Sequence, residues 1–322
     1  MTIVRDDAFA VPHIYGANRA ALMFGIGYAT AQDRLFTMDV QRHAGRAELS
    51  SFLGGSNRGA DREIWRSAPY TDDDLWLQFE RMDDLYGADG VQVQEDVSNY
   101  TDGVNQYIAE AKAGPPVSQP GSLIPGTYQF IGKLQGPEPW REIDVISVAS
   151  LVSGIFGKGG GGELRSAQAL EAAIQRFGEG EGRAVWADFR SAEDPETPTT
   201  VHATPFPYLE PPESTEGVAL PDPGTLQPEP VVAEGNAARV PVRRSAIGDL
   251  LASDGLASNA LLVSAANSES GRPIAVMGPQ VGYYSPGALI EQDIHAPASE
   301  FGPGIDANGT AFAGANLYVQ LG

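Results

Sequence analysis

A cysteine nucleophile is excluded, because the 322 residues of this chain include no cysteine. The same absence excludes disulfides and thiolate metal sites. A serine triad needs a histidine base beside the serine and an acid behind it. The four histidines, His13, His43, His202 and His295, are scattered, and no G-x-S-x-G elbow occurs. No two of them stand at i, i+4, so the helical spacing of zinc hydrolases is missing too. One serine is placed differently. Ser258, followed by Asn259, stands where Asp- and Gly-punctuated turns give way to the apolar run Ala260-Leu261-Leu262-Val263. If the chain were cut before Ser258, the new α-amino group, with a reference pKa of about 7.7–8.0, would be partly free base at neutral pH. The amine could then act, directly or through a water, as general base for its own hydroxyl. That is N-terminal-nucleophile chemistry, and it needs no histidine. The same Ser-Asn pair also suits an ordinary turn.

Such chemistry asks for a removable segment before the serine and a rigid element after it. From about Pro195 the sequence "DPETPTTVHATPFPYLEPPESTEGVALPDPGTLQPEPVVAEG" is rich in Pro, Glu and Thr and has no period of either kind. It lacks the apolar surface to offset its ordering entropy and reads as a spacer. Beyond it, strands are expected at 260–265, 274–277, 287–294 and 311–320. Before it come short extended segments around Asp6-Asp7 and Pro12, then a long helix from Arg19 that Asn18 can cap. Leu22, Ile26, Ala29, Leu35, Met38 and Leu49 fit one buried face of that helix, with Asp33, Arg34, Arg42 and Arg46 on the remainder. Further helices are expected at 73–86, 91–111, 142–155 and 163–177, the second of these stopped by Gly114-Pro115-Pro116. "GKGGGG", Gly157 to Gly162, formally holds GxGxxG, but a helix precedes it, so it reads as a connection between helices and not as a nucleotide loop. Helices, spacer, then strands imply an α+β or layered αββα arrangement.

Composition narrows the partners. Apolar residues make up 42% of the chain, enough for a globular core. A net charge of −21 sets it against nucleic acid and anionic membranes as partners. No apolar run reaches membrane-spanning length. Asp72-Asp73-Asp74 reads as a solvated helix start. The opening "MTIVRDDAFAVPHIYG" lacks the layout of a signal peptide. The closing "GTAFAGANLYVQLG" alternates like a strand without a cap, which suggests a piece of a longer protein.

The order of several segments carries a resemblance. They are "VRDDAFAVPHIYG", "GIGYATAQDRLFTMDVQRHAGRAELSSFLG", "LQGPEPWREIDVISVASLVS" and, after the spacer, "SNALLVS", "GRPIAVMGPQVGYYSPG" and "EQDIHAP". Together they resemble the penicillin amidase (penicillin acylase) family of N-terminal-nucleophile hydrolases, over most of the chain except the spacer. The resemblance implies an αββα sandwich, an α-chain region at 1–211, a spacer at 212–257 and the start of a β-chain at 258–322. It implies Ser258 as nucleophile, Asn259 as the residue that follows it, and Gln280 near the nucleophile's amine. Glu163 is matched to a glutamate that helps bind structural calcium; a helix N-terminal carboxylate is the other reading. A small-molecule acyl amide is the implied substrate, the protein's own α- and β-chains are the implied partners, and the compartment is periplasmic or secreted. Departures touch the acyl pocket: Val281 stands where phenylacetyl-preferring members have Phe, and Ser153, Gly154 and Gly157 are small. Ala257 precedes the nucleophile where glycine is common. The family continues well past the position of Gly322, with its oxyanion-hole donors there. The alternative to an enzyme precursor is a truncated, catalytically incompetent remnant or a binding module.

Overall fold

Asn18 opens the longest helix of the computed structural model, which describes residues 1–68, 70–156, 162–189, 257–280, 287, 289–300 and 302–321. Its side-chain oxygen accepts the N–H of Ala21 at 2.9 Å, supplying a partner that the first turn of a helix lacks. The helix that follows is α1 (Arg19–Gly45), with a break in its backbone angles at Arg34. Leu22, Met23, Ile26, Leu35 and Met38 are fully buried on it. Then come α2 (Leu49–Leu53), α3 (Arg58–Ser67), α4 (Asp72–Glu80), α5 (Met82–Tyr86), α6 (Ala88–Ala113), α7 (Thr127–Phe130) and α8 (Glu142–Phe156). The single helix expected at 73–86 is two, parted at Arg81. Thr71 caps the first in a reciprocal capping box with Asp74.

Two glycines set how closely α1 and α6 approach. A Cβ on Gly27 would lie 2.0 Å from the Tyr100 carbonyl oxygen, and one on Gly103 would lie 2.0 Å from that of Phe24. Backbone meets backbone here, and Val97, Tyr100, Val104 and Ile108 of α6 enter the main core beside α1. The other side of this core is a four-stranded sheet in the order β1-β2-β5-β6. Its strands are β1 (Thr2–Arg5), β2 (Pro12–Tyr15), β5 (Leu289–Ala296) and β6 (Ile305–Phe312). β1 and β2 form an antiparallel pair, as do β5 and β6, while β2 and β5 run parallel with Ile14 opposite Ile294. Both of those isoleucines are buried. A separate antiparallel pair, β3 (Ala257–Val263) and β4 (Ile274–Gln280), forms the second sheet. Helices and largely segregated strands make this an α+β fold.

The segment Lys158–Val242 is a compact unit of its own. Its described part is α9 (Gly162–Phe177) and α10 (Glu179–Phe189), joined at Gly178, whose φ of +84° favours glycine. A Cβ on Gly182 would lie 2.6 Å from the Ile174 Cα, so these two helices also touch through backbone. The Trp186 indole N–H donates to the Ser166 carbonyl at 2.9 Å. α10 and α3 were not expected from sequence. The spacer expected at 212–257 lies outside the described residues except for Ala257.

The strand expected at 311–320 is corrected. β6 ends at Phe312, and the chain turns at Gly314, φ +92°, so that the N–H groups of Gln320 and Leu321 return to the Thr310 carbonyl at 3.1 and 3.0 Å. Ala313, Asn316 and Leu317 are buried there in irregular backbone. Asn316 is the reason the turn holds. Its amide donates to Thr30 Oγ1 and Gln292 Oε1, each at 2.7 Å. Its carbonyl oxygen accepts the Tyr100 hydroxyl at 2.8 Å and the Gly314 N–H at 3.2 Å. All four hydrogen-bonding positions of the side chain are filled, as burial requires. Asn316→Ala should therefore lower unfolding stability by roughly 2–5 kcal/mol, because it strands several buried polar groups at once. The exposed Gln106→Ala should change it by less than about 0.5 kcal/mol. Urea-unfolding midpoints measure both, and a loss under about 1 kcal/mol for Asn316→Ala would mean the hub is not load-sharing.

Candidate functional site

Ser258 lies inside β3, not at its start, because the pairing with β4 begins one residue earlier, at Ala257 opposite Gln280. Ser258 then faces Pro279 and Asn259 faces Gly278 across the ladder. The hairpin thus brings Ser258, Asn259 and Gln280 to one end of the two-stranded sheet. Proline has no N–H, so Ser258 and Pro279 form a pair that exchanges no ladder hydrogen bond, and the ladder runs on through the flanking pairs. Farther along, the hairpin is apolar and open: Leu261, Leu262 and Val276 are 65%, 70% and 61% exposed. Val281 and Gly157 lie outside the described residues.

Glu163 is the second residue of α9, consistent with a carboxylate near a helix N-terminus. Calcium takes six to eight oxygen ligands, and one glutamate is only the beginning of such a site. Among the described residues, no group of three or more His, Asp or Glu could hold a metal ion.

A second constellation was missed. Arg42 and Arg46 do not decorate an outer face of α1; each side chain is only 7% exposed. They line a cleft of about 560 Å³ together with Asp39, His43, Phe52, Lys133 and Asp144. Arg42 Nε donates to Asp39 at 2.5 Å, and Arg42 Nη1 donates to Asp144 at 3.0 Å. Arg42 also reaches the carbonyls of Glu138 and Pro139 and lies 5.3 Å from the centre of the Trp140 ring. Arg46 donates to Asp144 and, at 2.8 Å, to Asp72. Asp72 takes Arg141 as well, at 2.7 Å. Tyr128 donates to Asp39 at 2.9 Å, and burial followed by that carboxylate pushes its phenol far up. His43 stacks on Phe52 at 4.2 Å, its Nδ1 lies 2.6 Å from the Asp39 carbonyl oxygen, and burial pushes its pKa down. Asp72, expected at a solvated helix start, is the first residue of α4 and 43% exposed, and is also a partner of this network. Burial raises its pKa, but hydrogen bonds from Arg46 and Arg141 outweigh that and leave it lowered.

The chemistry available here is structural. Among the described residues the cleft is lined by no serine or threonine, and its deepest carboxylates are committed to arginines. The sequence signal was the Asp39-x-x-Arg42 spacing inside an apolar stripe, which places an ion pair on the buried side of a helix.

The sequence profile of the penicillin amidase family matches residues 1–322. Penicillin G acylase of Escherichia coli is 27% identical over 339 residues, covering 97% of this chain and 36% of that protein. Penicillin acylase 2 proenzyme of Pseudomonas sp. (strain SE83) is 27% identical over 152 residues, covering 47% of this chain and 17% of that protein. Acyl-homoserine lactone acylase PvdQ of Pseudomonas fluorescens (strain Pf0-1) is 29% identical over 113 residues, covering 34% of this chain and 14% of that protein. The chain therefore spans about a third of the length of the first of these relatives, and less of the others. Among solved structures, a thermostable penicillin G acylase from Alcaligenes faecalis aligns with a TM-score of 0.48 at 25% identity, covering 63% of this chain and 97% of that one.

The charge network makes a clear prediction. Asp144→Ala leaves Arg42 and Arg46 buried without their shared partner, and should cost about 3–5 kcal/mol of stability. Asp72→Asn should cost less, because Asp72 is 43% exposed. The Asp72 contribution is present above its ordinary value of 3.8 and is lost as pH falls through its lowered value. Urea unfolding at neutral pH, and again in acid, checks the order and the sign.

Proposed function

Because the chain belongs to the penicillin amidase family, we propose that it is part of an amidohydrolase precursor that acts on linear, non-peptide acyl amides through an acyl-enzyme on Ser258. The observation that carries this reading is the β3–β4 pairing, which mounts Ser258 on a regular strand one register step from the Ala257–Gln280 pair. A nucleophile needs such a mount, because small misplacements of the attacking atom are costly.

Two rounds of the same chemistry are proposed. In the first, the Ser258 hydroxyl attacks the Ala257 carbonyl carbon. The peptide nitrogen leaves as the amine of Ser258, and an ester links Ala257 to the Ser258 oxygen. Water hydrolyses that ester and releases a β-chain that begins at Ser258. In the second, the free α-amino group takes the hydroxyl proton, directly or through a water, as the oxygen attacks the substrate amide carbon. The proton passes to the leaving amine, and water then hydrolyses the acyl-enzyme. Gln280 is assigned to orient the α-amino group and Asn259 to hold the strand position that follows the nucleophile. Glu163 is proposed as one ligand of a structural calcium, an assignment its carboxylate chemistry allows; it takes no part in either step.

In the complete gene product, the cleaved protein should yield a second chain whose N-terminal sequence reads Ser-Asn-Ala-Leu, starting at Ser258. Ser258→Ala should stay uncut. N-terminal sequencing settles this, and a β-chain starting elsewhere would reject Ser258 as the nucleophile.

The calcium role has its own check. Glu163→Gln in the complete gene product should lower bound calcium, measured by elemental analysis, and slow appearance of the cut chains. Unchanged calcium content and cleavage rate would remove Glu163 from the metal site.

A further inference from the structure

The four-stranded sheet carries a line of ionisable side chains that the proposed acylase chemistry does not use. His13 on β2 stands in register with Asp293 on β5, and His295 on β5 stands in register with Asp306 on β6. His13 Nδ1 lies 2.5 Å from Asp293 Oδ2. His295 Nε2 lies 2.9 Å from Asp293 Oδ1, and its Nδ1 lies 2.7 Å from Asp306 Oδ1. Both ring nitrogens of His295 therefore face a carboxylate. A neutral imidazole has one N–H and one lone pair, so it can satisfy only one of these acids and turns a lone pair toward the other. Only the imidazolium donates to both.

We propose that His295 is a protonation-dependent rivet of this sheet: as imidazolium it binds β6 through Asp306 and β2 through Asp293 and His13, and as neutral imidazole it gives up one of those ties. The sheet is then gripped in mild acid and loosened in alkali.

The groups around His295 all fit that sense. Asp293 shares its strand, Asp306 faces it from β6, and Tyr15 of β2 stacks on its ring at 4.8 Å and 11°. His13 reaches it through Asp293, and Asp6, in the turn before β2, is held low first by the Phe9 N–H and only last by His13. α1 also packs on β5, but its Arg19 is spent on Asp96 and Tyr318. The hydrogen bond to Asp293, with further help from Asp306, holds the His295 pKa above 6.5. Partial burial raises Asp293, but the bonds from His295 and His13 outweigh it and leave it lowered. The signs follow from linkage. The His295 contribution is complete below 6.5 and is lost as pH rises through its raised value. The Asp293 contribution is complete above 3.8 and is lost as pH falls through its lowered value. The grip is strongest between the two. It does not depend on cleavage at Ser258.

Imidazole nitrogen–proton NMR across the titration tests this on the wild-type chain, with Asp306→Asn as the partner experiment. Asp306 is 88% exposed on its side chain, so the asparagine variant should fold. The His295 signals should show protons on both nitrogens in mild acid and a midpoint above 6.5, and Asp306→Asn should lower that midpoint. The urea-unfolding midpoint should fall between about pH 6 and about pH 9, and by less in His295→Gln. A wild-type midpoint at or below the ordinary histidine value would overturn the proposal, as would a midpoint that Asp306→Asn leaves in place. Equal pH dependence in wild type and His295→Gln would do the same. If His295→Gln does not fold, the titration alone decides.

Discussion

A guanidinium taken out of water must carry its counter-charge with it, and α1 with its C-terminal cap takes in three of them. The helix has little face left for solvent along much of its length, so Arg19, Arg42 and Arg46 are each met by groups from distant parts of the chain. Arg42 and Arg46 draw in Asp144 from α8, about a hundred residues on, and Arg46 draws in Asp72 from α4. Arg42 also fixes the carbonyls of Glu138 and Pro139 before α8. At the other end, Arg19 holds Asp96 of α6 through both carboxylate oxygens, and Tyr318 donates to the same carboxylate at 2.5 Å. These pairs add little net stability over an apolar core of equal shape. What they do is select: a packing that separates one of them strands a buried charge. The order of helices around α1 is fixed by that penalty at least as much as by apolar contact.

How much of this could be read beforehand depended on whether the signal was local. Asn18 as a cap, the stop after Ala113 and the run leading into Val263 are decided by a few neighbouring residues, and the structure has them where expected. The break at Arg81 was hidden because Leu75, Phe79 and Met82 keep a helical spacing across it, all three belonging to a small cluster with Ile143 and Ile146. The segment after Phe312 is set by what surrounds it and is not an extended strand. The arginines of α1 were read as surface for the same reason: nothing within a helical turn of Arg46 shows that Asp144 and Asp72 will arrive. His13 and His295 are a further case. Their shared acid, Asp293, is two residues from one and 280 from the other, so only the parallel pairing of β2 with β5 makes a cluster of them.

The family assignment and the position of Ser258 stand on different supports. The first comes from the order of motifs along the whole chain. The second is local, and the structure refined it: the serine lies within the strand, opposite a proline, and not at the first residue of an apolar run. That detail suits the proposed cut. The Ser258–Pro279 pair exchanges no ladder hydrogen bond, so the new terminus would form at a step that the ladder itself does not hold.

Rigidity is the remaining requirement of the proposed chemistry. A two-stranded hairpin by itself is marginal in water, and strands become firm when their faces are covered. Leu261 and Leu262 are neighbours, so their side chains point to opposite faces of the ribbon, and both are largely exposed. The hairpin therefore presents apolar surface on both sides while holding the proposed nucleophile near one end. Attack on the Ala257 carbonyl demands the hydroxyl within about 3–3.5 Å of its target and in line with it, a geometry that a loosely held ribbon visits only briefly. On the proposed mechanism, covering of the hairpin on both faces has to come before the cut, and the cut before the first turnover.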